Sequence, residues 1–335
     1  MPRVRPYNTL VYALLATSVL AFFRLIMPAI EDSILFGGRD RWKVYYFRPD
    51  NASTADFNQS TLGYCHDSVF LITMVITHHD NWVQRMVIRE TWGGVKKVSD
   101  KTIVNVFVLA QTNNKVMANR LRQENEEHHD MVVLNFKDHY LNLTLKTLQS
   151  LYLVTKYCPA AEYILKADDD VFINYFSLVP FLSKSPRKDY AVGFKHYKAT
   201  PVRWRKSKWF TPKHIYRERV YPPYLAGTAY VMSRDVALRV HNVATAVTFL
   251  PWEDVFVGLC MRKLKITPLM DKRFDTHGRE YIQNRTCPIH RIFSIHHVEP
   301  RNITDLWKRY HEEEQDARCH NKYHYTEMLS AKPLT

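Results

Sequence analysis

The sequence predicts an α/β protein with a mostly parallel central sheet, and three observations carry that prediction. Four apolar, β-branched runs are separated by stretches of helical periodicity. The first of them, "VFLITMVIT", is a continuous apolar, β-branched run, which is the pattern of a buried parallel strand. The fourth run, "YILKADDDVFIN" (163–174), meets three adjacent aspartates, and ligands of open α/β sheets gather beyond the carboxyl ends of strands.

Taken in order, "VFLITMVIT" (Val69 to Thr77) is the first strand, and a short helical stretch follows around Trp82 to Trp92. "TIVNVFVLA" (Thr102 to Ala110) is the second strand, "NKVMANRLRQENEEH" a polar helix, and "MVVLNF" (Met131 to Phe136) the third strand. In "LTLKTLQSLYLVTKYC", Leu145, Leu148, Leu151 and Tyr152 share one helical face. "EYILKA" is the fourth strand and delivers Asp168, Asp169 and Asp170. The second half is less regular. Between Lys184 and Arg219 stand twelve lysines and arginines and two acids, interleaved with Tyr197, Trp204, Trp209 and Tyr216. Neither GxGxxG nor a P-loop occurs, which removes the usual dinucleotide and nucleoside-triphosphate folds.

The chain of 335 residues, 46% hydrophobic, has material for a real core, and its net charge of +14 predicts an anionic partner. Leu10 to Ile30 is an apolar stretch long enough to span a bilayer, broken by Arg24 alone. Arg3 and Arg5 precede it and Glu31 and Asp32 follow, so the positive-inside tendency sends the body of the chain across. The expected organisation is a cytoplasmic tail (1–8), a signal anchor (9–30), a lumenal stem (31–64) and a lumenal catalytic domain (65–335). A cleaved signal peptide is the rival, disfavoured because the apolar run continues past "TSVLA". Asn51, Asn58, Asn142, Asn284 and Asn302 head glycosylation sequons. Anchor and sequons together argue against nucleic acid as the partner. The five cysteines show no CxxC spacing and allow two disulfides with one thiol left over; sequence leaves the pairing open, Cys65 with Cys158 and Cys260 with Cys287 being one guess at it.

Two acidic stretches hold the chemistry. The flanks "YILKA" and "VFI" oppose full solvation of the triple aspartate, so a hard divalent cation is expected there in preference to a hydrated turn. Alternate residues of an extended segment face one way, which lets Asp168 and Asp170 converge while Asp169 points elsewhere. In "WEDVFVGLC", Glu253 and Asp254 are either charges serving a helix dipole or a general base, with Trp252 packing on a sugar face. "QRMVIRETWG" places Arg85 and Arg89 on one helical face, as a solvated basic surface or as a grip on a diphosphate. His296 and His297 are either structural or complete a metal shell. "YPPYLAGTAYVMS" is a proline-stiffened loop ahead of a strand.

These stretches, in this order, resemble the β-1,3-galactosyltransferase family of inverting glycosyltransferases. The matching motifs are "RMVIRETW", "FVLA", "DHYLNLTLKT", "KADDDVFIN", "YPPYLAGTAYVMS" and "EDVFVGLC", spread from about residue 69 to 300. The resemblance implies a GT-A-type nucleotide-sugar-binding fold, a UDP-sugar donor, manganese or magnesium, and a Golgi membrane enzyme of type II topology. Position by position it implies Asp254 as catalytic base and Asp170, Asp168 and His296 as metal ligands. It implies Arg85, Arg89, Thr91, Trp92, Lys166, Asp168 and Asp169 on the donor side, and Tyr221, Tyr224, Gly227, Trp252 and Glu253 around the acceptor and sugar. Gln84, Leu225, Ala226 and Ala229 depart from residues frequent in the family. The implied activity is transfer of a hexose, galactose first, to a glycan hydroxyl on a glycoprotein or glycolipid. N-acetylgalactosamine or N-acetylglucosamine transfer and a non-catalytic glycan-binding protein are the alternatives.

Overall fold

The computed structural model describes Cys65, residues 68–277 and residues 288–314. The chain begins its order with β1 (Val69–Ile76), α1 (Trp82–Glu90), β2 (Lys97–Val98), β3 (Lys101–Gln111), α2 (Lys115–His128), β4 (Met131–Lys137) and α3 (Leu143–Tyr157). β5 (Tyr163–Asp168), β6 (Val171–Ile173), α4 (Tyr175–Ser183), β7 (Ala191–His196) and β8 (Tyr224–Ser233) follow. The last elements are α5 (Arg234–Val243), α6 (Glu253–Lys263), β9 (Leu269–Met270), β10 (Phe274–Asp275), β11 (Ser294–His296) and α7 (Pro300–Glu314).

The main sheet runs β2-β3-β1-β5-β8-β7-β9, and β4 pairs with the far half of β3, which is long enough to hold β2 at its start and β4 at its end. β4, β3, β1 and β5 are mutually parallel, as expected, and every residue of β1 is buried. Local signals set the helices between them. Asn114 caps α2 by accepting from the N–H groups of Val116 and Met117, and α3 buries Leu145, Leu148 and Leu151 where its periodicity puts them.

Beyond β5 the sheet departs from the expected parallel pattern. β8 is antiparallel to both β5 and β7, because a long irregular connection, not a crossover helix, joins β7 to β8. A second sheet, β10-β11-β6, sets His296 opposite Val171, beside the last aspartate.

Strand order explains where the site forms. From β1 the chain builds outward to β3 and β4, then returns to β5 on the other side of β1. That reversal opens a crevice at the carboxyl ends of β1 and β5. Thr77 follows β1 and Asp168 ends β5, so the crevice opens where the triple aspartate lies.

The Cys65–Cys158 disulfide forms as expected. Cys260 is instead a free thiol buried in α6, so no bridge to Cys287 forms; Cys287 and Cys319 lie outside the described residues. The expected tail, anchor and stem also lie outside them, as do Asn51, Asn58 and Asn284. Among the described residues no helix is long and apolar enough to cross a membrane.

Candidate active site

The three aspartates meet three different partners. Lys166, two residues before Asp168 on the same strand, is buried and donates to Asp168 Oδ1 and to the Gly227 carbonyl. Burial opposes its charge, but Asp168 and Glu253 raise its pKa. Burial pushes the Asp168 carboxyl up to about 6, against the pull of Lys166. Asp169 turns the other way and accepts from the Thr77 hydroxyl and from Asn81 Nδ2 at 2.8 Å. Burial raises its pKa, and those two bonds restrain the rise. Asp170 faces His296, Nε2 to Oδ2 at 3.3 Å, and His297, Nδ1 to Oδ2 at 3.9 Å. Burial pushes the Asp170 carboxyl up, but the His296 hydrogen bond and charge outweigh it and hold the group below the ordinary value.

A single cation is therefore not what compensates all three charges. A lysine answers Asp168 and a hydroxyl–amide pair answers Asp169. Only Asp170 has the surroundings of an ion ligand. Its Oδ1 is buried without a protein partner, an orphaned carboxylate oxygen that a cation would satisfy. Ligand-type atoms of Asp170, His296 and His297 lie within 4.8 Å of one another. His297 is in the left-handed region (φ 60°), which brings its ring alongside that of its neighbour, centroids 3.8 Å apart, where an extended strand would place them on opposite sides. His296 Nδ1 faces the Thr276 carbonyl at 3.2 Å, fixing the ring with Nε2 toward Asp170. A carboxylate oxygen with two imidazoles is a donor set that fits a divalent cation. Asp168, expected as a ligand, is outside this group.

The second acidic stretch opens α6. Two negative charges in a first turn complement the helix dipole, but the pair is divided by environment. Glu253 is buried, accepts from Tyr230 Oη at 2.6 Å and lies 3.9 Å from Lys166 Nζ. Burial pushes its carboxyl up to about 7, with Lys166 opposing. Asp254 is half-buried and accepts from the Val255 N–H at 2.8 Å. Burial raises its pKa, and the N–H groups of Val255 and Gly227, with Lys166 and His196, moderate the rise. Gly227 permits this approach, since a Cβ there would lie 3.3 Å from Glu253 Oε2 and 3.4 Å from Asp254 Cβ. Lys166 thus binds the strand-end aspartate, the β8 backbone and the α6 carboxylate into one cluster.

Aromatic side chains wall this cluster. The Trp252 indole donates to Thr211 Oγ1 at 2.7 Å, and the same hydroxyl meets Tyr221 Oη at 2.8 Å. The Tyr224 ring lies 4.9 Å from that of His196, with Asp254 close enough to act on both. The expected acceptor-side residues Tyr221, Tyr224, Gly227, Trp252 and Glu253 are thereby gathered around Asp254.

The expected donor-side residues of α1 sit differently. Arg85 is fully buried, donates to Glu124 at 2.8 and 2.7 Å, and holds the His78 carbonyl at 2.7 Å. Arg89 pairs with Asp130 at 2.9 Å and with Glu124 at 2.8 Å, over the Phe107 ring. Thr91 bonds the Val87 carbonyl, and Trp92 is a core residue against Tyr175. Of these four only Arg85 reaches the loop after β1; the side chains of Arg85, Arg89 and Thr91 are engaged within the protein, and the buried Trp92 indole N–H has no hydrogen-bond partner among the described residues.

Asn142 is half-buried, with its amide donating to the Lys137 carbonyl and Thr144 of its sequon buried against the Leu250 carbonyl. Asn302 lies on α7. Sequence reasoning missed Thr77, Asn81, Tyr140, His196 and Tyr230. "DHYLNLTLKT" contained Tyr140 and "YPPYLAGTAYVMS" contained Tyr230, but the pairing of Tyr230 opposite Lys166 in the β5–β8 register had no sequence signal.

A family model described as Galactosyltransferase matches residues 83–272. The chain belongs to the galactosyltransferase family. Among named relatives, beta-1,3-galactosyltransferase 1 of Mus musculus is 33% identical over 264 residues, 78% of this chain and 80% of its own. Beta-1,3-galactosyltransferase 5 of Pan paniscus is 36% identical over 240 residues, 71% of this chain and 80% of its own. The solved galactosyltransferase LgtC, in complex with donor and acceptor sugar analogs, matches 71% of this chain and 95% of its own at 12% identity and a TM-score of 0.40, too remote to bear on the site.

Proposed function

We propose that the chain is an inverting, metal-dependent β-1,3-galactosyltransferase that moves galactose from UDP-galactose to a glycan hydroxyl on a glycoprotein or glycolipid. In this reading the fold is of GT-A type. The protein is a Golgi membrane enzyme with tail 1–8, anchor 9–30, stem 31–64 and lumenal domain 65–335. The apolar N-terminal stretch, the sequons and the family support that organisation.

One observation carries the mechanism: two acidic groups with different environments are joined through Lys166. Asp170, His296 and His297 would hold a divalent ion, and such an ion, when bound, would supply Lewis-acid neutralisation of a diphosphate leaving group. Asp254, half-buried and with a raised pKa, takes the proton from the acceptor hydroxyl at its carboxylate. Attack from the side opposite the leaving group gives inversion. Lys166 holds Asp168 and the Gly227 carbonyl and so fixes the distance between the donor end and the base. Glu253, bound to Tyr230, positions Lys166 and stays out of the proton transfer.

The test is a donor screen with the full chain and manganese. UDP-galactose, UDP-N-acetylgalactosamine and UDP-N-acetylglucosamine are each offered with galactose-, glucosamine- and lipid-linked acceptors, and UDP release and product linkage are measured. A β-1,3-linked galactose product is expected. Release from an N-acetylated donor alone would reassign the sugar, and no release from any donor would favour the glycan-binding alternative.

A further inference from the structure

A strip of aromatic rings leads outward from Asp254. Trp252, two residues before the base in sequence, is buried, and its ring lies 6.5 Å from that of Tyr140, which is 47% exposed. The Tyr140 side chain neighbours that of Trp209, itself 51% exposed, since the Lys208 ammonium sits over both rings. Lys208 rests its ammonium over both outer rings, 4.4 Å from the Trp209 centroid and 5.8 Å from that of Tyr140. Among the described residues no carboxylate pairs with Lys208. The segment around it, 195–219, holds nine lysines and arginines against the single acid Glu218.

Large exposed aromatic faces in line with a catalytic base match the apolar C–H face of a pyranose. An unpaired ammonium at their outer end matches an anion. We propose that this strip is the subsite for the second sugar of an extended acidic acceptor. The sugar beyond the reacting one lies on Tyr140 and Trp209, and its anionic substituent, a carboxylate, sulfate or phosphate ester, pairs with Lys208. Pairing draws the ammonium to the edge of the rings and clears their faces for the sugar. The inference rests on the transferase reading for the placement of the reacting sugar.

The test uses the full chain in detergent with manganese and UDP, and reads acceptor binding by saturation-transfer NMR separately from UDP release during turnover. The ligands are a monosaccharide glycoside, a neutral disaccharide glycoside, and that disaccharide with one sulfate, one phosphate or one uronate on its second sugar. The second ring should strengthen binding about tenfold, as aromatic stacking does. The anion should add about threefold to fivefold, as a solvent-exposed ion pair does. Lys208→Gln should bring the acidic-to-neutral ratio to one, Lys208→Glu should invert it, and Trp209→Ala should abolish the disaccharide advantage. The three anions, compared with one another, identify which substituent fits. Equal binding of neutral and acidic disaccharides, or a ratio unmoved by Lys208→Gln, would overturn the proposal. Intact binding preferences without UDP release from any donor would sink the transferase reading instead.

Discussion

Lys166 donates to Asp168 and the Gly227 carbonyl and lies 3.9 Å from Glu253, so one buried ammonium faces more negative charge than it neutralises. Burial, with the charge of Asp254 beside it and against the pull of Lys166, raises the folded pKa of Glu253 to about 7, above the ordinary 4.5. The unfolded chain loses this proton first as pH rises. The resulting penalty is absent below 4.5, grows between 4.5 and 7, and is complete above 7. Glu253→Gln keeps an acceptor for Tyr230 but cannot ionise. It should stabilise the protein by roughly 1–3 kcal/mol at pH 8 and by little at pH 4.5. Urea unfolding at both pH values measures this, and a pH-independent difference would show that Glu253 does not titrate in that window. Asp254 has the opposite assignment, to proton transfer. Asp254→Asn should lower kcat by about 10²- to 10⁴-fold while UDP-galactose still binds; full activity would remove Asp254 as the base.

At the scale of elements, legibility followed burial. β1, β3 and β5 are covered on both faces along nearly all their length, and β4 is largely buried over its first four residues; their apolar runs made them visible in the sequence. The three-residue strands β6 and β11 are too short for any periodicity, yet they bring His296 to Asp170. Helical spacing put Arg85 and Arg89 on one face of α1. Their partners Glu124 and Asp130 come from α2 and the turn after it, a tertiary choice that spacing does not encode. Arg85→Ala should therefore cost about 1.5–3 kcal/mol by removing one of the two arginines that satisfy buried Glu124, measurable by chemical denaturation. A loss below about 1 kcal/mol would return Arg85 to ligand binding as its main role. The β8–α6 contact makes a finer prediction. Gly227→Ala puts a methyl 3.3–3.4 Å from Glu253 and Asp254, so the start of α6 must shift by a few tenths of an ångström. Activity should fall about tenfold or more with a stability change of only about 1 kcal/mol. An unchanged kcat would mean that the base tolerates the shift.

For the whole molecule, the Cys65–Cys158 bond closes a loop of 93 residues around β1 to α3, the parallel half that carries the β1–β5 crevice. Chain entropy assigns such a loop roughly 4–5 kcal/mol, of which removal of native bridges typically recovers 2–5. The bond also requires an oxidising compartment, in agreement with the proposed lumenal placement. Cys260 cannot replace either partner, because it is buried in α6 and burial pushes its thiol up to about 12, leaving almost no thiolate at neutral pH. The Cys65→Ser/Cys158→Ser variant should unfold about 2–5 kcal/mol more easily than the oxidised wild type. Reductant should lower the stability of the wild type and of Cys260→Ala alike, and leave the double variant unmoved. Equal sensitivity in all three would place the stabilising bridge elsewhere in the chain, and a reductant effect lost in Cys260→Ala would show that Cys260 is bridged after all.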